Sequence, residues 1–120
     1  MSLGHLKRLG AIARLESAEA NIAASGLCHG MHLHPYEGSV SVTGALMRAF
    51  DISDKTIAIW DGDVLSLELP DTQFALFNEL RCLLEMVVDE DLDTWNDGAS
   101  ADDAMRACRR LARLIEFGAN

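Results

Sequence analysis

The sequence predicts a mainly α-helical domain of the α+β class, a compact four-helix unit carrying one β-hairpin. Three observations lead there. Apolar residues recur at helical spacing in four separate segments. One short segment alternates apolar with smaller or polar residues on either side of an Asp-Gly pair. No Pro-, Gly- or Ser-rich linker interrupts the 120 residues, so residues 1–120 read as a single domain. A chain of this length buries roughly two-thirds of the surface its unfolded form exposes, enough for a core without staples.

The first helix is expected from about Leu3 to Ser25. Leu6, Leu9, Ile12, Ala13, Ala20 and Ala23 form its apolar side, and Gly26 stands where a left-handed C-terminal cap belongs. Gly30, Pro35 and Gly38 hold the stretch from Leu27 to Gly38 as a loop. A short second helix follows from about Val42 to Phe50, with Ser39 or Ser41 as its cap. The hairpin comes next. Thr56 to Trp60 and Val64 to Leu69 are its strands, and Asp61-Gly62-Asp63 supplies the positive backbone torsions of a tight turn.

Pro70 and Asp71 open the third helix, capped by Asp71 or Thr72. Its stripe of Leu76, Phe77, Leu80, Leu83, Leu84, Val87 and Val88 makes it the clearest core helix of the chain. The acidic stretch from Asp89 to Ala99 reads as a connection. Ser100 caps the last helix, and Asp102 and Asp103 suit the positive end of its dipole. Ala104, Cys108, Leu111 and Ile115 line its inner side, widened by Ala107 and Leu114, and Gly118 ends it.

Composition narrows the function classes. Apolar residues make up 49% of the chain, yet no apolar run approaches the ~18 residues needed to span a bilayer. No membrane partner is therefore expected. Nineteen acidic residues face ten basic ones, a net charge of −9, which argues against a nucleic-acid partner because phosphates require a basic surface. The same charge suits a basic partner or plain solubility. Three widely spaced cysteines, an odd number, do not form a disulfide framework, and the first residues lack the order of a signal peptide. A reducing cytoplasm is the expected setting.

The densest chemical cluster is Cys28-His29-Gly30-Met31-His32-Leu33-His34. Cys28, His29, His32 and His34 are candidate ligands for zinc or copper, since a loop can bend several imidazoles and a thiolate onto one ion. The competing reading is a surface loop whose histidines hydrogen-bond backbone carbonyls. Cys28 would serve as a nucleophile only if His32 or His34 folded back to it. The run Asp89, Glu90, Asp91, Asp93 and Asp97 lacks the glycine and glutamate spacing of a calcium loop, and reads as a solvated helix end. Arg106, Arg109, Arg110 and Arg113 make a basic strip on the last helix. It either meets an acidic partner or phosphate, or is a solvent face laced by pairs such as Asp102 with Arg106. No phosphate-cradling glycine loop, nucleophile elbow or zinc-protease helix occurs, and no cofactor is expected.

Two stretches together resemble a known family. One is Gly26-Leu27-Cys28-His29-Gly30 followed by Gly38-Ser39-Val40-Ser41-Val42-Thr43-Gly44-Ala45-Leu46-Met47-Arg48-Ala49; the other is Trp95-Asn96-Asp97 before a final helix. They resemble a family of short uncharacterised proteins, a domain of unknown function, from high-GC Gram-positive bacteria and their phages. Its members read roughly G-W-x-Q-G, then C-L-x-G-A-L-x-x-A, then W-N-D. Leu27, His29 and Ser41-Val42 depart from that pattern, and Lys55 to Leu69 matches least. The resemblance implies a cytoplasmic helical protein and transfers no catalytic residue.

The motif residues have structural readings. Gly44 lets the second helix approach a neighbour closely, Trp95 anchors the acidic connection in the core, and Asn96 or Asp97 hydrogen-bonds its turn. The function these observations favour is a non-enzymatic interaction or accessory protein of phage or mobile-element origin, with an unidentified protein partner or a homodimer formed through the hairpin or the last helix. The alternative is a small metal-binding or hydrolytic protein using the Cys28–His34 loop.

Overall fold

The computed structural model describes residues 5–60 and 69–118. Among the described residues six helices follow one another: α1 His5–Ser25, α2 Val42–Ala49, α3 Asp54–Ile59, α4 Asp71–Val88, α5 Leu92–Gly98 and α6 Ala101–Phe117. α1 packs chiefly against α6 and α2, while α4 packs against α6 and α5. Leu15, Ile22, Leu46, Met47, Ile57, Phe77, Leu80, Leu84, Leu92 and Leu111 fill the core between them.

The expected β-hairpin is corrected. Its first strand, Thr56 to Trp60, lies largely within α3, and among the described residues there is no strand, only single bridges from Val40 to Leu27 and Leu33. Residues 61–68, which hold the expected turn and most of the second strand, lie outside the described residues. The physical reason begins at Ser53. Its side chain accepts the N–H of Thr56, capping a helix that Asp54 favours from the first turn. A strand would turn Ile57 and Ile59 to one face. The helix separates them, leaving Ile57 fully buried and Ile59 63% exposed. Arg48 secures the arrangement with a two-pronged pair to Asp54, Nε–Oδ1 at 2.9 Å and Nη2–Oδ2 at 3.1 Å.

The acidic connection also contains a helix. Asp91 caps α5 by accepting the N–H of Thr94 at 3.1 Å, and the Leu92 N–H donates to Glu85 Oε2 at 2.9 Å. Asp89, left-handed at φ 59°, turns the chain out of α4. At the start of α6, Ser100 and Asp103 form a reciprocal capping box. At the end of α1, Gly26 takes φ 84° and returns its N–H to the Ile22 carbonyl, the left-handed cap expected there.

Candidate functional site

The loop that carries Cys28 and three histidines is tied down along its whole length. Its own backbone closes it: Cys28 N–H donates to Val40 O at 3.0 Å, His34 N–H to Ser39 O at 2.8 Å, and Ser41 N–H to His32 O at 3.1 Å. α5 then fastens it from outside. Asn96 is buried, and its side chain spans the loop's two ends: Nδ2 donates to Cys28 O at 2.9 Å while Oδ1 accepts the Val42 N–H at 2.9 Å. Asp97 Oδ1 accepts the Gly30 N–H at 2.8 Å, and Asp93 Oδ1 accepts the Thr43 hydroxyl at 3.0 Å. The Trp-Asn-Asp motif therefore acts on the loop through its two polar members. Trp95 itself is only partly buried, against the edge of the core.

Gly44 belongs to the same construction. A Cβ at this position would stand 2.1 Å from the backbone oxygen of His32 and 3.1 Å from its carbonyl carbon. The close neighbour is thus the loop rather than another helix.

The four candidate metal ligands serve separate bonds. Cys28 Sγ donates to the Met31 carbonyl at 3.3 Å, and burial pushes its thiol above the ordinary range, so the thiolate needed for attack or ligation is disfavoured. His29 Nε2 donates to Ala99 O at 2.8 Å. His32 Nδ1 lies 2.8 Å from Ser41 Oγ. His34 Nδ1 accepts the N–H groups of Tyr36 and Glu37 at 3.2 and 3.1 Å, with Nε2 3.3 Å from Glu37 Oε1. Among the described residues, no three His, Cys, Asp or Glu side chains form a group that could hold a metal ion.

His32 instead lines a cleft of about 380 Å3 with Gly30, Met31, Ser41, Ala58, Trp60, Asp93, Asn96 and Asp97. Its ring lies 5.3 Å from that of Trp60, and Trp60 in turn meets Phe77 edge-on at 6.3 Å. The Arg81 guanidinium sits over the Trp60 ring at 5.2 Å and 3.8 Å from Asp93 Oδ2. Beside this cleft two buried donors, Trp60 Nε1 and Arg81 Nε, have no hydrogen-bond partner among the described residues. Sequence reasoning missed Trp60, Arg81 and Asp93 as a group, because the expected hairpin set Trp60 apart from the loop.

Burial holds the His32 pKa below its ordinary value of 6.5, assisted by Arg81 and opposed by Asp93. Below pH 6.5 the unfolded chain therefore takes up a proton that the folded chain refuses. Stability is complete above that pH and falls as the pH drops through the folded pKa. The melting temperature is expected to decline between about pH 7 and pH 5, and His32→Gln to flatten that slope. Equal slopes in the two proteins would show that His32 is not held neutral. The exposed caps Asp91 and Asp103 have pKa values lowered by the helix N–H groups they accept, so they act only further into the acid range.

The arginine strip of the last helix divides in two. Arg109 is committed to Glu19 of α1, and Arg106 pairs with Asp103 at 2.8 Å rather than with Asp102. Arg110 and Arg113 have no carboxylate partner among the described residues. They share an exposed face with Arg106, Leu114 and Phe117, the last two being 41% and 77% exposed. On the inner side, burial pushes the Cys108 thiol up to about 12.

Comparison of the chain with protein-family models, with curated proteins and with solved structures finds no match. No helix among the described residues is long and apolar enough to cross a membrane.

Proposed function

We propose that this is a non-enzymatic interaction protein that docks an acidic protein partner on the outer face of α6. One observation carries the reading. A chain with nineteen acidic and ten basic residues has ample means to pair every arginine, yet Arg110 and Arg113 lack carboxylate partners among the described residues, beside the exposed Phe117. Arginine and aromatic side chains are the groups that most often anchor protein interfaces. Symmetric pairing of α6 with α6 would bring arginines together, so charge favours an unlike, acidic surface over a homodimer through this helix. The three free cysteines fit a reducing cytoplasm. The resemblance of the Gly-Ala-Leu and Trp-Asn-Asp segments is to proteins of high-GC Gram-positive bacteria and their phages, which fits a phage or mobile-element origin.

Affinity capture from the native host, run in parallel with the Arg110→Glu/Arg113→Glu variant, tests the reading. The expected result is an acidic partner retained at low salt, released at high salt and lost by the variant. A partner held equally by the variant overturns it, as does a parent protein whose sedimentation shows self-association that survives the double substitution.

A further inference from the structure

We infer that the cleft between the 28–41 loop, α3 and α5 is a binding site for an alkyl ammonium or guanidinium cation, held by Asp93 and Asp97 against Trp60. The inference is independent of the α6 reading. At about 380 Å3 the cleft lies within the ~300–1,000 Å3 range of small-ligand sites, and it combines one aromatic wall with a few convergent polar groups. Its charge is set by three side chains. Asp93 has Arg81 3.8 Å away, while Asp97 has no cationic partner among the described residues. One negative charge is therefore left over, beside a histidine that stays neutral.

Hydrogen-bond capacity points the same way. Each carboxylate already spends its Oδ1, Asp93 on the Thr43 hydroxyl of α2 and Asp97 on the Gly30 N–H of the loop, and the second oxygen of each makes no hydrogen bond among the described residues. Met31, Ala58 and Trp60 offer apolar surface for an alkyl stem. An anion would meet two carboxylates, and the described side chains form no metal group. A donor-rich cation with a short aliphatic stem satisfies both the charge and the acceptors. The cation is either a free small amine or the lysine or arginine side chain of a bound protein.

Titration followed by the indole N–H signal of Trp60 and the amide of Gly30 tests the inference, with n-butylammonium, butylguanidinium, neutral n-butanol and capped lysine- and arginine-containing tetrapeptides as probes. Saturable shifts are expected with the cations and not with butanol. Asp97→Asn keeps the acceptor for the Gly30 N–H and is expected to weaken cation binding about tenfold. Asp93→Asn is expected to act in the same direction. Comparable affinity for amines and peptides indicates a free amine, whereas markedly tighter peptide binding indicates a partner's side chain. Absence of saturable shifts with every cationic probe overturns the inference. So does an equal response to butanol, or unchanged binding by a folded Asp97→Asn protein. The butanol comparison uses the parent protein and holds even if a variant fails to fold.

Discussion

Asn96→Ala is expected to destabilise the domain by about 2–5 kcal/mol, the largest effect of any single polar substitution in α5. Asn96 is only 3% exposed, and both its amide nitrogen and its amide oxygen are hydrogen-bonded. Truncation leaves the Cys28 carbonyl without the donor from Nδ2 and the Val42 N–H without an acceptor. The Val42 N–H belongs to the first turn of α2, where no intrahelical acceptor exists to replace the amide. Each buried group left unpaired costs about 1–3 kcal/mol. Asn96→Asp separates the two halves of the clamp. The carboxylate still accepts from Val42 but has no donor for Cys28 O, and it sets a buried charge against a carbonyl oxygen. Chemical denaturation of the three proteins measures the effect, and a loss below about 0.5 kcal/mol for Asn96→Ala would mean that the loop is not held by this residue. Asp97→Ala, which removes an exposed bond to Gly30, is expected to cost far less.

Gly44→Ala is the second large effect, expected to lower the melting temperature by roughly 10 °C. Two contributions of opposite sign compete. Alanine in place of glycine favours a helix by about 1 kcal/mol. Against that, the new methyl group would lie 2.1 Å from the His32 oxygen, far inside contact distance. Neither side of that contact is a flexible side-chain end. One is the first turn of α2, fixed by the Ser41 cap. The other is a carbonyl that accepts the Ser41 N–H. Overpacking of a rigid site costs about 1–3 kcal/mol and more when backbone must move. The clash therefore decides the sign. Because the displaced carbonyl belongs to His32, the variant should also shift the His32 and Trp60 signals of the cleft. An alanine protein as stable as the parent, with those signals unmoved, would show that the loop does not lie against α2.

Both substitutions act on residues that the sequence singles out without revealing their partners. Gly44 reads from the sequence as a point of close approach, but the neighbour is the His32 carbonyl twelve residues earlier, and only the folded loop brings it there. Trp95, Asn96 and Asp97 stand out as a motif in which the tryptophan would be the anchor. In the fold the weight passes to Asn96, because α5 turns the amide inward between Cys28 and Val42 and leaves the indole at the core edge. The helix α5 itself has a local signal in Asp91 and Thr94, masked by the density of acidic residues around it.

What the sequence determined by itself is where the long helices run. It misplaced the buried face of α1, which is Ala11, Leu15, Ala18 and Ile22 while the expected Leu9, Ala13, Ala20 and Ala23 are exposed, and it misplaced the cap of α4, which starts after Pro70 with no side-chain cap from Asp71 or Thr72. The apolar stripe of α4, a serine cap for α2 at Ser39 or Ser41, of which the fold uses Ser41, the left-handed turn at Gly26 and the Ser100 start of α6 are local, and their causes lie within a few residues of chain. Tertiary structure decided the segments too short to carry a period. From Thr56 to Ile59, two isoleucines two apart fit a strand as well as a helix. The cap at Ser53, the Arg48–Asp54 pair and the burial of Ile57 against the core select the helix. The candidate site was decided at the same level. Trp60, Arg81 and Asp93 are far apart in sequence, and they meet His32 only because α3, α4 and α5 pack around one loop, a consequence of long-range contacts that no local pattern encodes.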